Sequence, residues 1–108
     1  HGLYRAEPKL LVERVGRILE IADIPVVLHG GTGLSPEDFR AFIAAGVSKI
    51  NISTALKLAY MTACQAHLAK AEATGKWEPV KMFDDVAEAC AQVVGENARM
   101  FGSVGRAA

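Results

Sequence analysis

The chain has 108 residues, 51% of them apolar, and its 12 basic and 12 acidic side chains cancel. That length and mix predict one compact globular unit, and the zero net charge argues against nucleic acid or an anionic membrane as partner. No apolar run approaches the length of a membrane span and no secretory leader opens the sequence.

The chain starts at His1 rather than Met, in the middle of a His-Gly motif, which leads us to expect a fragment or a cleaved chain. Arg5 and Lys9 follow, cations read as solvated. From Lys9 to Ile21, apolar residues at Leu11, Val15, Ile18 and Leu19, continued by Ala22, recur at the spacing of one helix face. Pro25 then opens the run Val26-Val27-Leu28, which reads as a buried parallel strand, and this ends in His29-Gly30-Gly31-Thr32-Gly33.

Ser35-Pro36-Glu37-Asp38 is a helix start. A serine cap, a proline at the first helical position and two acids in the electropositive first turn all agree. Phe39, Phe42, Ile43 and Ala45 supply the apolar stripe and Gly46 the stop. Val47 to Ile52 reads as the next strand, closing on Asn51-Ile52-Ser53-Thr54. A long helix is predicted over Ala55–Ala73, with Leu56, Ala59, Tyr60, Ala63 and Leu68 on its apolar side and His67 on the surface. Gly75-Lys76-Trp77-Glu78-Pro79 breaks the pattern. A last helix covers Met82 to Met100, where Gly95 is expected to bend or interrupt it, before a Gly-rich tail. Cys64 and Cys90 form no CxxC or Cys/His cluster, and a reducing cytoplasm is the expected compartment.

Strands alternating with helices indicate parallel βαβ units. A full (β/α)₈ barrel takes about 250 residues, so this chain would supply its last units; an open doubly wound sheet is the competing architecture. His1-Gly2, His29-Gly30-Gly31-Thr32-Gly33 and Asn51-Ile52-Ser53-Thr54 all sit at strand C-terminal ends, which share one side of a parallel sheet. On that side, Gly30, Gly31 and Gly33 let backbone N–H groups approach an anion, and Thr32, Ser53 and Thr54 add hydroxyls. The alternative is a plain strand-to-helix turn. His1 and His29 occupy matching positions and suit zinc, though two nitrogens are one short of a catalytic zinc site. The Asn51 amide either binds a substrate oxygen or closes the turn. No Asp or Glu beside these loops stands out as a general base. A G-x-S-x-G elbow, a Rossmann fingerprint and a Walker motif are all missing.

Together, His1-Gly2-Leu3-Tyr4-Arg5, Val27-Leu28-His29-Gly30-Gly31-Thr32-Gly33 and Lys49-Ile50-Asn51-Ile52-Ser53-Thr54 resemble the class II aldolases acting on fructose or tagatose bisphosphate. The Phe101-Gly102-Ser103-Val104-Gly105-Arg106 ending extends the resemblance over nearly the whole chain. The resemblance implies that residues 1–108 are the C-terminal part of one α/β domain, a (β/α)₈ TIM barrel, with additional C-terminal helices. It implies zinc held by His1 and His29 together with a third histidine outside this chain. Gly2, Gly30, Gly31 and Thr32, with Asn51, Ile52, Ser53 and Thr54, would surround a substrate phosphate and a monovalent cation, Na⁺ or K⁺. Asn51 would also position the reacting carbons.

Some members carry Asp at the position of Ser53 and Ser at that of Thr32, and losing the Asp charge would alter cation or substrate preference. The implied reaction is reversible retro-aldol cleavage of a ketose 1,6-bisphosphate, by a cytoplasmic homodimer or homotetramer. The aspartate acid/base of the family lies in the N-terminal half, so this chain alone is expected to be inactive. Two other readings are a sugar-phosphate-binding barrel piece without turnover and another phosphate-binding barrel enzyme, such as an isomerase. Arg99 and Arg106 are read as surface cations, with the distal phosphate as their alternative role.

Overall fold

The structure, a computed structural model, describes residues 11–106; His1, Gly2, Arg5 and Lys9 lie outside them. Four helices and two strands follow one another as α1 (Glu13–Ile21), β1 (Val26–Leu28), α2 (Pro36–Ala44), β2 (Val47–Ile50), α3 (Thr54–Thr74) and α4 (Pro79–Met100). β1 and β2 pair in parallel, joined through α2, with Val26 opposite Val47 and Leu28 opposite Ile50. Val27 faces Lys49, so Ser48 is the extra residue of a bulge. The result is helix-rich, with consecutive strand–helix units.

One face of the sheet carries the core. Val15 of α1, Phe42 of α2 and Val47 of β2 are buried together, ringed by Leu19, Val26, Leu28 and Ile50. On the opposite face Val27 is 39% exposed, so β1 is not the fully buried strand its apolar run predicts. α1 likewise buries a narrower stripe than its spacing predicts: Val15 is enclosed while Ile18 is 44% exposed.

α2 starts as its sequence requires. The Ser35 hydroxyl accepts from the Asp38 N–H at 3.1 Å, and the Ser35 N–H donates to the Asp38 carboxylate at 2.9 Å, a reciprocal capping box with Pro36 at the first position. It stops at Gly46, whose φ of 108° belongs to glycine. A Cβ there would lie 2.4 Å from Leu19 Cδ1, so the same glycine lets α1 approach the turn.

α3 and α4 form a helical hairpin around Gly75, a left-handed C-cap. Ala71 and Val86 are the residues most enclosed in it. α4 begins at Pro79, earlier than the sequence pattern predicts, because proline suits the first helical position. It also runs through Gly95 without interruption. His67 is not a surface residue: its side chain is 11% exposed, and Nδ1 lies 2.7 Å from Asp85 Oδ2 across the hairpin. Among the described residues no helix is long and apolar enough to cross a membrane.

Candidate functional site

The C-terminal ends of β1 and β2 open into one cavity of about 840 Å³. Its walls are His29, Gly30, Thr32, Ile50, Asn51, Ile52, Ser53, Thr54 and Lys57. The two strand-end motifs of the sequence therefore meet, and the ladder explains why. The Asn51 N–H donates to the Leu28 carbonyl at 2.9 Å, continuing the β1–β2 pairing one residue past β2 and setting Asn51 beside His29.

The two side chains touch. Nδ2 of Asn51 lies 3.5 Å from Nδ1 and 3.4 Å from Nε2 of His29, so the amide sits against the ring, nearly equidistant from its two nitrogens. This contact gives the Asn51 side chain a role besides substrate binding, namely holding the imidazole.

Thr32 joins the loops a second time. Its Oγ1 accepts the Ala55 N–H at 3.3 Å, in the first turn of α3. Ser53 stands at the N-cap position of that helix, but its side chain makes no capping bond. A hydroxyl from the β1 loop thus satisfies a helix donor that belongs to the β2 loop. As an acceptor in that bond, Thr32 keeps its own O–H for donation into the cavity.

The glycines divide their work. Gly30 and Gly33 have φ of 71° and 97°, conformations open to glycine, and they turn the chain from β1 toward α2. Gly31 is different: it is buried, and it does not line the cavity. A Cβ on it would lie 2.9 Å from Phe39 Cε1 and 3.0 Å from Ile52 Cδ1. Packing against those two side chains accounts for Gly31, whereas its sequence position suggests contact with an anion.

Lys57 was not among the residues singled out by sequence. The available signal was its place three residues beyond Thr54, in the turn of α3 that rises from the loop. Arg99 and Arg106 do not line this cavity.

The donor set suits a phosphate ester: backbone at Gly30, hydroxyls at Thr32, Ser53 and Thr54, an amide at Asn51 and an ammonium at Lys57. For a metal, the described residues offer less. His29 has the right chemistry for one zinc ligand, but no three His, Cys, Asp or Glu come together among the described residues.

Residues 1–106 match the sequence family described as Fructose-bisphosphate aldolase class-II. A fructose-bisphosphate aldolase of Geobacillus stearothermophilus is 38% identical over 108 residues, covering all of this chain and 37% of that protein. The crystal structure of the YdjI aldolase from Escherichia coli K12 superposes with a TM-score of 0.77 at 32% identity, over 94% of this chain and 37% of that one. The fold is that of part of an aldolase, and the chain belongs to the class II fructose-bisphosphate aldolase family. It spans little more than a third of the length of these two relatives.

Proposed function

We propose that the chain is the C-terminal part of a (β/α)₈ barrel whose whole protein cleaves a ketose 1,6-bisphosphate, fructose or tagatose, in a reversible zinc-dependent retro-aldol reaction. The observation that supports it most is the convergence of the His29 loop and the Asn51–Thr54 loop on one cavity with hydroxyl, amide and ammonium donors and no carboxylate among its described lining residues. Family membership over residues 1–106 supplies the reaction class.

In this reading the phosphate of the substrate lies in the cavity, against Gly30, Thr32, Asn51, Ile52, Ser53 and Thr54. Gly31 contributes through the backbone it fixes, and Gly2 joins them from outside the described residues. A monovalent cation, Na⁺ or K⁺, shares the site. Held there, the rest of the ketose is oriented, which converts binding energy into rate. His29 holds the zinc with His1 and a histidine of the rest of the protein. When bound, zinc supplies Lewis-acid polarisation of a carbonyl oxygen. Asn51 fixes the His29 ring and steadies the substrate beside it. The proton-transfer group is an aspartate of the remaining barrel. Partners are the sugar phosphate, the remainder of the barrel and further copies in a homodimer or homotetramer.

The deciding experiment uses the full-length protein. It should cleave fructose or tagatose 1,6-bisphosphate, lose that activity when zinc is stripped by EDTA, and regain it with zinc. Undiminished cleavage after verified zinc removal rejects the zinc reading, and failure to cleave either sugar when zinc-loaded rejects the aldolase reading.

A further inference from the structure

Glycines at 30, 31 and 33 give the loop after β1 little order of its own. Gly30 and Gly33 both hold positive φ, and the Leu34 N–H closes the turn on the Gly31 carbonyl at 3.2 Å. The Thr32 hydroxyl ties one side of the loop to α3. The cavity wall at Gly30 and Thr32 is further shaped from outside, through the buried Gly31 between them. A Cβ on Gly31 would lie 2.9 Å from Phe39 Cε1 and 3.0 Å from Ile52 Cδ1, so those two side chains already press against its backbone.

Both side chains lead to the end of α4. Phe101, its C-cap residue, sets its ring edge-on to Phe39, with centroids 4.9 Å apart. With Ile52 it also lines a largely apolar cavity of about 280 Å³. The backbone around Phe101 is itself fixed. The Ser103 N–H donates to the Ala98 carbonyl at 3.0 Å and the Gly102 N–H to the Arg99 carbonyl at 3.1 Å, with Gly102 left-handed at φ 68°. This paired closure sets where α4 stops and where the Phe101 ring is presented. The Phe101-Gly102-Ser103 run does not line the phosphate cavity, and it reaches the loop through Phe39 and Ile52.

We propose that Phe101 is a positioning residue for phosphate binding: its ring holds Phe39 against Gly31 and so keeps the Gly30–Thr32 backbone in the conformation that receives the anion. The proposal rests on the phosphate reading of the two loops given above. A ring that only filled the core would change stability, whereas a ring that shapes the loop also changes affinity. An edge-on aromatic pair, transmitted in full, corresponds to about a 3- to 10-fold change in affinity.

The test takes the full-length protein as wild type, Phe101→Ala, Phe101→Tyr and Val86→Ala, with folding checked by circular dichroism. Val86 is buried in the α3–α4 hairpin and does not line the phosphate cavity, so its truncation loosens α4 without touching the loop. Inorganic phosphate binding is measured by calorimetry, ketose-bisphosphate cleavage by steady-state kinetics, and amide exchange by mass spectrometry. Phe101→Ala should weaken phosphate binding about 3- to 10-fold, raise KM by a similar factor and speed exchange at the Leu34 amide. Phe101→Tyr keeps the ring and should restore most of all three. Val86→Ala should lose stability while phosphate affinity and KM stay within about twofold of wild type. A folded Phe101→Ala protein with wild-type phosphate affinity overturns the proposal, as does a loss confined to kcat, which marks fewer folded molecules rather than a displaced loop. An equal loss of phosphate affinity in Val86→Ala also overturns it. If wild type binds phosphate but cleaves no ketose bisphosphate, the aldolase reading fails while the phosphate affinities still decide Phe101. If wild type binds no phosphate, both fall.

Discussion

The Oγ1 of Thr32 accepts the backbone N–H of Ala55 at 3.3 Å, so a side chain of the loop after β1 caps the helix that follows β2. The residue at the cap position itself, Ser53, makes no such bond. Replacing Thr32 by Val keeps the shape and removes the acceptor. The expected cost is about 1 kcal/mol, the ordinary value of a helix cap, with faster hydrogen exchange at the Ala55 amide. Thr32→Ser should keep nearly all of the stability. Urea unfolding of the full-length variants, with an unchanged slope, measures it. Equal stability of the Val variant and wild type would show that Thr32 does not cap α3.

Gly31→Ala tests packing rather than backbone freedom. The φ of Gly31 is not positive, so alanine meets no backbone obstacle there. Its Cβ would instead lie 2.9 Å from Phe39 Cε1, and Phe39 is only 2% exposed, with its ring edge-on to Phe101 at a centroid distance of 4.9 Å. A ring held on both sides cannot yield cheaply. The substitution should destabilise by about 1–3 kcal/mol, and pairing it with Phe39→Leu should recover part of that loss. Strict additivity of the two changes would point to another cause.

These two residues show where sequence reading succeeds and where it stops. Ser35-Pro36-Glu37-Asp38 declares a helix start because every partner lies within three residues, and the reciprocal Ser35–Asp38 bonds are there. The meeting of the His29 and Asn51 loops was also legible, since all C-terminal ends of parallel strands point one way. The packing role of Gly31 was not, because Phe39 and Ile52 come from the following helix and the next loop. His67 was misplaced for the same reason: Asp85, its partner, lies 18 positions away on another helix. Gly95 looked like a helix breaker at a cost of about 1 kcal/mol. α4 nevertheless runs through it, packed against α3.

The His67–Asp85 contact is a specific tie across the α3–α4 hairpin. Asp85 is 56% exposed at its side chain, so solvent screens the pair. A double-mutant cycle with His67→Ala and Asp85→Ala should give a coupling of about 0.5–1 kcal/mol, falling as salt is raised. His67→Ala alone should cost more than the coupling, because the ring is mostly enclosed and its removal also empties space against α4. A coupling indistinguishable from zero at low salt would reduce the contact to simple proximity.

His29→Ala separates the two halves of the proposed site. The imidazole stands at the end of β1, while the hydroxyl and ammonium donors come from Thr32, Ser53, Thr54 and Lys57. Removing the ring takes away one proposed zinc ligand and leaves those donors standing. Zinc content of the purified full-length protein should therefore drop, and ketose-bisphosphate cleavage should fall at least about 100-fold, the upper range for disturbing even a residue behind a metal ligand. Inorganic phosphate should still bind within a few-fold of wild type. The Asn51 amide, which lies 3.4 Å from the ring, loses its partner at the same time, so Asn51→Ala is the matching control. It should lower kcat by about 100-fold through misplacement while zinc stays bound. If His29→Ala keeps both its zinc and its cleavage rate, His29 is a structural residue of the strand end and the zinc must be held elsewhere. If it loses phosphate binding as severely as cleavage, the two functions share one set of groups, and the division argued from the cavity walls is wrong.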